Sequence, residues 1–365
     1  MNPSIRRMSL YRLRLPLHVP YRLSYHTFEA FEPILVGVTD EDGRAGWGEG
    51  HISPGSSAET RAGGWAFCRS QAAQILGQTS GSAKAAVGAA MAVSPVAAGA
   101  LIAALEMLED HPLLRLERDV SLPLLTPVNG RSEAELETEI AGRLDQGFAT
   151  FKIKVGHDVD ADLARVAVIQ RLLAGRATLR LDANRAYSRD QGCRFGAALD
   201  PEGIELFEQP CAAEDWAANG AVAAASTVPL MLDEAICSLE DIERAATVPG
   251  IGLCKLKLKR FGGLDRLKVA LERVRDLDME PVLGDGLSSD LGCWMEACVA
   301  RTTIRNAGEF NGFLKAKSGL FTEPLGFERG RVVMKAGFRP RIDPAALADK
   351  IVAEEIFDLS GTVGA

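Results

Sequence analysis

Along residues 8–50 apolar and polar positions alternate, as in Pro33-Ile34-Leu35-Val36-Gly37-Val38. The pattern breaks at Glu41-Asp42-Gly43 and resumes at Ala45-Gly46-Trp47. A two-residue period around an Asp-Gly turn predicts antiparallel strands joined by a hairpin, and the whole opening reads as a meander. Residues 57–77 and 84–110 are Ala-rich with helical spacing, so residues 1–120 predict an α+β unit. From Leu122 the rhythm changes to short apolar runs: Leu122–Val128, Thr150–Lys154, Leu179–Asp182, Ile204–Glu208, Leu230–Asp233, Leu253–Lys257, Pro281–Asp285, and a weaker one at Ile304–Phe310. Amphipathic stretches such as Glu133–Asp145, Asp160–Leu173 and Ser238–Ala246 separate them, each long enough for the crossover that a parallel strand pair requires. Eight βα repeats over residues 121–325 suit a (β/α) barrel better than an open sheet of five or six strands. The tail, 326–365, is expected to pack back on the first unit.

Composition removes several function classes. A formal charge of -8, with no Lys/Arg cluster beyond Arg6-Arg7, argues against a nucleic-acid surface. No GxGxxG or Walker turn opens a helix, which leaves a dinucleotide dehydrogenase without its phosphate seat. The seven cysteines have no CxxC or Cys/His zinc spacing, and no secretory apolar core follows the N-terminal Arg-Arg, so a cytoplasmic location is expected. Residues 85–105 carry no charge, the length of a membrane span. Their Ala content and the Ser94-Pro95 break predict instead two helices packed through small residues, and no membrane role.

Charged residues interrupt the apolar runs at Lys154, Asp182, Glu208, Asp233, Lys257, Asp285 and Glu309, 24 to 28 residues apart. Any one of these could be a helix cap or a surface charge. Seven in phase place a charged side chain at the C-terminal end of each successive strand, where barrel enzymes build their sites.

Asp182, Glu208 and Asp233 fall on three consecutive strands, and three convergent carboxylates repel one another unless a cation sits among them. With no Cys or His beside them they select a hard ion, Mg²⁺, with Asn184 and Glu234 supporting the ligands. Lys152 and Lys154 share one face of a strand, and two neighbouring ammonium groups are expected to depress each other's pKa, which makes a lysine a usable base. Lys257 approaches from the opposite wall. Lys255 shares its parity but is expected deeper, and Lys259 past the strand end. Lysines on both faces of a metal-held carboxylate suit removal and return of the proton on the neighbouring carbon.

Phe151-Lys152-Ile153-Lys154, Leu181-Asp182-Ala183-Asn184, Glu208-Gln209-Pro210, Asp233-Glu234 and Lys257–Gly263 together resemble the enolase superfamily, in its mandelate racemase/muconate-lactonizing-enzyme branch and specifically the muconate-lactonizing-enzyme subgroup. Gly46-Trp47-Gly48-Glu49 is similar to the hairpin of that family's capping domain, and Glu309–Gly312 to its eighth strand. The resemblance implies a modified (β/α)7β TIM-type barrel under an α+β capping domain, Mg²⁺ on Asp182, Glu208 and Asp233, and Lys154 with Lys257 as acid and base. The sequence departs from the pattern at Asp285, where a small or hydroxyl residue is usual. That acid implies either a cationic substrate group or a pairing with a lysine. It departs again at Asn311, where dipeptide epimerases carry a second Asp, and at Lys315–Lys317, which replaces an apolar stretch.

Specificity is expected from the capping loops Leu23–Phe31 and Gly50–Ser56, with Tyr25, His26, Phe28 and His51 as the side chains able to meet a ligand. A loop histidine is more often a solvated surface residue. The expected function is a racemase or epimerase of an amino-acid derivative acting through an enediolate, with a muconate-type cycloisomerase or a syn-dehydratase as alternatives. A non-catalytic binding protein is disfavoured because neither a lysine nor a ligand is missing. The expected partners are a small-molecule carboxylate and further copies of the chain.

Overall fold

The computed structural model describes residues 3–23 and 26–359. The first unit comprises β1 (Ile5–Leu13), β2 (Leu15–Arg22), β3 (Thr27–Phe31), β4 (Ile34–Asp40), β5 (Ala45–Gly50), α1 (Arg61–Ile75), α2 (Ser80–Ala89) and α3 (Pro95–Leu108). It is not the expected simple meander. β1 pairs with β4 and β4 with β5, whereas β2 and β3 leave the sheet as their own hairpin. The reason lies downstream: the backbone of β2 engages 315–317 of the second unit, with His18 N–H donating to Lys315 O at 2.9 Å and Lys317 N–H to Pro16 O at 2.8 Å.

The uncharged stretch forms α2 and α3, and among the described residues no helix is long and apolar enough to cross a membrane. Its small residues serve close packing. A Cβ on Gly46, Gly48 or Gly50 of β5 would overlap the carbonyl oxygens of Ala104, Ala100 or Val96 on α3, so strand and helix backbones lie against each other.

The second unit opens with β6 (Val120–Pro123) and β7 (Thr126–Val128), and continues through β8 (Thr150–Lys154), β9 (Thr178–Asp182), β10 (Ile204–Glu208), β11 (Leu230–Leu232), β12 (Ile251–Leu256) and β13 (Glu280–Leu283). β7 to β13 form one parallel sheet in chain order. The crossovers are α4 (Glu133–Asp145), α5 (Val159–Leu173), α6 (Arg189–Ala198), α7 (Trp216–Ala225), α8 (Leu239–Ala246), the one-turn α9 (Leu258–Phe261) with α10 (Leu264–Asp276), and α11 (Asp290–Thr303). Local chemistry marks their ends. Ser132 and Glu135 form a reciprocal capping box at α4, and Asp158 caps α5, which ends on left-handed Ala174.

The eighth position is shorter than the run 304–310 predicts. Gly308 and Glu309 bridge the sheet edges: Glu309 N–H donates to Leu283 O, Gly308 N–H to Pro123 O, and Leu125 N–H to Gly308 O. These bonds curl the sheet into a barrel with a capping domain above it, the modified (β/α)7β architecture. Within it the two-residue period of a strand sets Lys154, Asp182, Glu208, Asp233 and Lys257 over an inner layer of Lys152, Arg180, Leu206, Met231 and Lys255. Leu206, Met231 and Val282 make a small apolar cluster there, separate from the large core between sheet and helices.

The tail divides. β14 (Gly326–Glu328) and β15 (Arg331–Met334) pair with β6 beside the barrel, and only after α12 (Pro344–Ala348) does β16 (Ile351–Asp358) pair with β1.

A test of the β5–α3 seat is Gly48→Val, which forces a branched side chain into backbone. It should cost about 1–3 kcal/mol or more of stability, read as a fall in the urea midpoint at unchanged m-value. An unchanged midpoint would mean that α3 is not seated on β5.

Candidate active site

The strand ends bring most of the predicted residues into one cleft at the barrel mouth. Lys152, Lys154, Asp182, Asn184, Asp233, Glu234, Lys257, Asp285 and Glu309 line it, together with Lys255, Lys259 and Arg260, and Glu208 lies beneath. The deepest group is Lys152 on β8. Its ammonium is 2.8 Å from Asp182 Oδ2, 2.8 Å from Glu208 Oε2 and 2.9 Å from Glu309 Oε2. Burial alone would lower its pKa, but the three carboxylates outweigh burial and raise it well above the usual value. The mutual depression expected of Lys152 and Lys154 is therefore not found at Lys152, whose neighbours are acids. Lys255 is the matching deep group on the far wall, paired with Glu208 at 3.1 Å and in direct contact with Glu309, and its pKa is raised for the same reason.

Above these lie the two more accessible lysines. Lys154 Nζ donates to Asp182 Oδ2 at 2.6 Å and to Asn184 Oδ1 at 2.7 Å. Lys257, just past β12, donates to Asp233 Oδ2 at 2.8 Å. Their side chains are 20% and 12% exposed against 3% and 2% for Lys152 and Lys255, so they are the ones able to meet a ligand. β8 and β12 are separated by three strands, half the circuit of an eight-position barrel, so the two lysines face each other across Asp182, Glu208 and Asp233.

The acids respond to these neighbours. Burial raises Asp182 and Asp233, but the lysines, and Arg260 at Asp233, more than offset it and hold both carboxyls below the usual range. Glu208 goes the other way, pushed up to about 7 by burial and then by the charge of Asp182. Its Oε2 has Lys152 nearby yet no hydrogen bond of acceptable geometry. Glu234 is also raised, by burial and then by Asp233 and Asp182, and its Oε1 is 3.5 Å from Asn184 Nδ2.

Asp285 settles between its two expectations: Lys259 pairs with it at 2.8 Å and Lys257 lies 3.9 Å away. It is a lysine partner. Lys259 also donates to the His51 carbonyl at 2.9 Å, tying the capping loop to the barrel. His51 is not the solvated or ligand-facing side chain expected. It is 2% exposed, packed on Phe28 and Phe31, with Nδ1 at 3.1 Å from Ser53 Oγ, and burial followed by Lys259 lowers its pKa to about 3. His26 is half-buried against Phe28. Tyr25 lies outside the described residues. Part of the expected loop 23–31 is strand β3, and the cleft is lined from the cap by Tyr21, Leu23, Ser53 and Ser56.

Several structural partners escaped the sequence reading. Gln209, at φ 37° and fully buried, accepts from Asp233 N–H at 2.9 Å and Ala235 N–H at 3.1 Å, so the residue after Glu208 positions the turn bearing Asp233. Its place between Glu208 and Pro210 was the available signal. Arg260 grips Asp233 Oδ1 at 3.1 Å and also its backbone carbonyl. Glu296 on α11 accepts Leu258 N–H at 3.1 Å and Asp285 N–H at 3.3 Å, and Glu49 of β5 accepts Ser289 N–H at 2.8 Å, but nothing in helical periodicity marks such acids as acceptors.

A different group already converges: one donor atom each from Glu106, His111 and Asp265 lies within 4.8 Å of the others. Its members bond to one another and to the backbone. His111 Nδ1 accepts Leu113 N–H, so the proton is on Nε2, 3.1 Å from Asp265 Oδ1, and Glu106 Oε2 accepts Leu264 N–H at 2.8 Å. These bonds join α3 to the start of α10.

Comparison with known proteins shows the family and the fold. The sequence profile of the Enolase C-terminal domain-like family matches residues 135–338, more than half of the chain, and the chain belongs to that family of enolase-superfamily enzymes. An aromatic dipeptide epimerase of Herpetosiphon aurantiacus is 30% identical over 86% of this chain and 88% of its own. An o-succinylbenzoate synthase of Geobacillus stearothermophilus is 29% identical over 81% of each. A dipeptide epimerase structure from Cytophaga hutchinsonii, complexed with Mg and the dipeptide D-Ala-L-Val, has the same fold, with a TM-score of 0.87 at 20% identity over 97% of this chain and 99% of that one.

The buried acids set a pH dependence. Burial, then the charge of Asp285, pushes Glu296 up to about 8, and burial pushes Glu49 up to about 7 despite the Ser289 hydrogen bonds. Their folded pKa values exceed the unfolded one, about 4.3, so the native state binds more protons in between. The stability they contribute is full below about pH 4 and is lost as pH rises through 7 to 8. Urea midpoints at fixed Mg²⁺ should therefore fall from pH 5 to pH 8. Glu296→Gln, which cannot ionise, should flatten that fall, and an identical slope in the variant would show that Glu296 does not titrate in this range.

Proposed function

We propose that the chain is a Mg²⁺-dependent, cytoplasmic racemase or epimerase that removes the proton α to the carboxylate of a small amino-acid derivative and returns it to the opposite face. The observation that carries this reading is the placement of Lys154 and Lys257 on opposed walls, each bonded to one of the carboxylates between them. Relatives named as epimerases support it. The seven cysteines, all free, suit a reducing compartment.

Asp182, Glu208 and Asp233 fit a hard divalent cation. All three are oxygen donors, nearly fully buried, on adjacent strands, and Glu208 keeps an oxygen without a proper hydrogen bond. When bound there, Mg²⁺ would supply positive charge beside the carboxylate that gains electron density as the α-proton leaves. The rest belongs to the chain's own side chains. A substrate α-carbon between Lys154 and Lys257 carries one hydrogen, which faces one Nζ in one enantiomer and the other Nζ in its mirror image. The neutral lysine accepts the proton while the charged one donates from the other side, which inverts the centre. Lys152 and Lys255 stay charged in their carboxylate cages and add fixed positive potential beneath the enediolate. Asn184 aims Lys154 and Asp233 aims Lys257, and Gln209 with Arg260 holds the Asp233 turn.

Two experiments test the reading. With the right substrate in D₂O, Lys154→Ala and Lys257→Ala should each lower net inversion by about 100-fold or more. Each variant should keep α-proton exchange with one enantiomer only, and the two should keep opposite ones. If one variant lost all exchange while the other merely slowed, the enzyme would be a syn-dehydratase or cycloisomerase instead. Separately, excess EDTA should abolish turnover and Mg²⁺ restore it; full activity in EDTA would refute the metal assignment.

A further inference from the structure

Between β5 and α1 the cap sends residues 51–60 over the barrel mouth with no strand or helix of their own, and Ser53 and Ser56 of this strap line the cleft. Some of its carbonyls are served within the cap. Ser53 O accepts Ser56 N–H at 3.2 Å and Ser56 Oγ–H at 2.9 Å, and Ile52 O accepts from Arg61 Nε at 3.5 Å. Two others reach the barrel: Gly55 O accepts from Arg185 Nη2 at 2.7 Å, and His51 O accepts from Lys259 Nζ at 2.9 Å. Arg185 follows β9 and Lys259 stands past β12, so the strap is fastened at two points of the rim with β10 and β11 between them.

Each fastening cation has a buried acid behind it. Glu234 Oε1 lies 3.6 Å from Arg185 Nε, and Asp285 Oδ2 lies 2.8 Å from Lys259 Nζ. Neither cation can swing away without stranding its acid, and a charged donor makes the stronger bond to a carbonyl. Lys259 holds Asp285 by charge, since neither Asp285 oxygen has a hydrogen bond of good geometry and the lysine's well-formed bond goes to His51 O. Arg185 is aimed by its backbone. Its φ of 68° follows a φ of 43° at Asn184, and its N–H is pinned to Gln209 O at 2.8 Å. Two successive left-handed residues without glycine are local strain of the kind that persists at functional sites.

The same two acids lead on to the two opposed lysines, one to each. Glu234 Oε1 is 3.5 Å from Asn184 Nδ2, and Asn184 Oδ1 accepts from Lys154 Nζ at 2.7 Å. Asp285 Oδ1 is 3.9 Å from Lys257 Nζ. We propose that Arg185 and Lys259 are positioning residues that couple the seating of strap 51–56 to the two lysines, through Glu234 and Asn184 to Lys154 and through Asp285 to Lys257. Releasing Gly55 O frees Arg185, leaves Glu234 to draw the Asn184 amide and slackens the bond that aims Lys154. Removing Lys259 leaves Asp285 to Lys257 alone and draws that lysine off Asp233. Asp285 thus works as the inner half of a latch. The role in proton transfer rests on the racemase reading; the coupling itself does not.

The test reads the strap and the lysines without turnover. On the full chain with Mg²⁺, hydrogen exchange by mass spectrometry follows peptides covering 51–58, and trace acetic anhydride labelling followed by peptide mass analysis gives the relative acetylation rates of Lys154 and Lys257. Arg185→Met and Lys259→Met should each speed exchange in 51–58 by about threefold or more, with β5 and α3 unchanged, because only the strap opens. The Lys154 to Lys257 labelling ratio should rise by about threefold or more in both, as Lys154 loses its Asn184 bond in the first and Lys257 gains Asp285 for itself in the second. In the charge-balanced double variant Lys259→Met with Asp285→Asn, Lys257 loses that acid and the ratio should fall below the wild-type value, which also serves if the single variant folds poorly. A strap that merely opened would speed both lysines and leave the ratio unmoved. Smaller changes in the 51–58 peptides, loosening that spreads through β5 and α3, or a ratio that does not reverse in the double variant would overturn the proposal. If strap and ratio respond as expected while no amino-acid derivative exchanges its α-proton in D₂O, the racemase reading fails and the latches stand.

Discussion

Burying a carboxylate without a counter-charge is prohibitively costly, and the barrel mouth is organised by that constraint. Asp182, Glu208, Asp233, Asp285 and Glu309 are all buried, and each has at least one ammonium group within 3.1 Å or in direct contact. Such a ring adds little net stability, since desolvating both signs roughly cancels their attraction, but removing one member strands its partner at about 3–5 kcal/mol. It follows that the charges are interdependent. Lys152 touches three acids at once, so it fixes where Asp182, Glu208 and Glu309 can point before any ligand arrives, and the more open Lys154 and Lys257 inherit their positions from that inner layer.

The same logic welds the capping unit to the barrel. Glu49 of β5 receives the N–H and hydroxyl of Ser289 at the start of α11, Glu106 of α3 receives the Leu264 N–H at the start of α10, and Lys259 reaches the His51 carbonyl. Two of these contacts place an acid at a helix N-terminus, where unpaired N–H groups and the helix dipole favour negative charge. Because Ser289 and Glu296 share α11, and Glu296 holds the backbones of Leu258 and Asp285, a shift of the cap would be felt at the turn carrying Lys257.

What could be read from the sequence follows from what is periodic. Strand parity and a repeat of 24 to 28 residues located Lys154, Asp182, Glu208, Asp233, Lys257, Asp285 and Glu309, and parity alone put Lys255 beneath Lys257. Features that depend on long-range backbone pairing were not visible. The β2–β3 hairpin leaves its sheet because 315–317 claims one of its edges, and the eighth strand shrinks to Gly308–Glu309 because it needs only to bridge Leu283 and Pro123. His51 reads as a loop residue, yet Phe28 and Phe31 close over it, a contact between a strand and a turn twenty residues apart that no local pattern encodes.

This division bears on how such a site changes its substrate. The chemistry rests on residues fixed by sheet periodicity, and every one of them is committed to an internal partner, so none can be altered to suit a new ligand without stranding a buried charge. Freedom lies where side chains meet the mouth from irregular backbone. Segment 315–317 is such a place, because its backbone is anchored to β2 through Pro16 and His18 while the side chain of Lys315 stands over Tyr21 near the cleft. A substitution there leaves the carboxylate–lysine ring intact and alters the charge beside Glu309 and Tyr21. The eighth-strand wall and its continuation can thus drift in specificity while the proton-transfer machinery stays constrained.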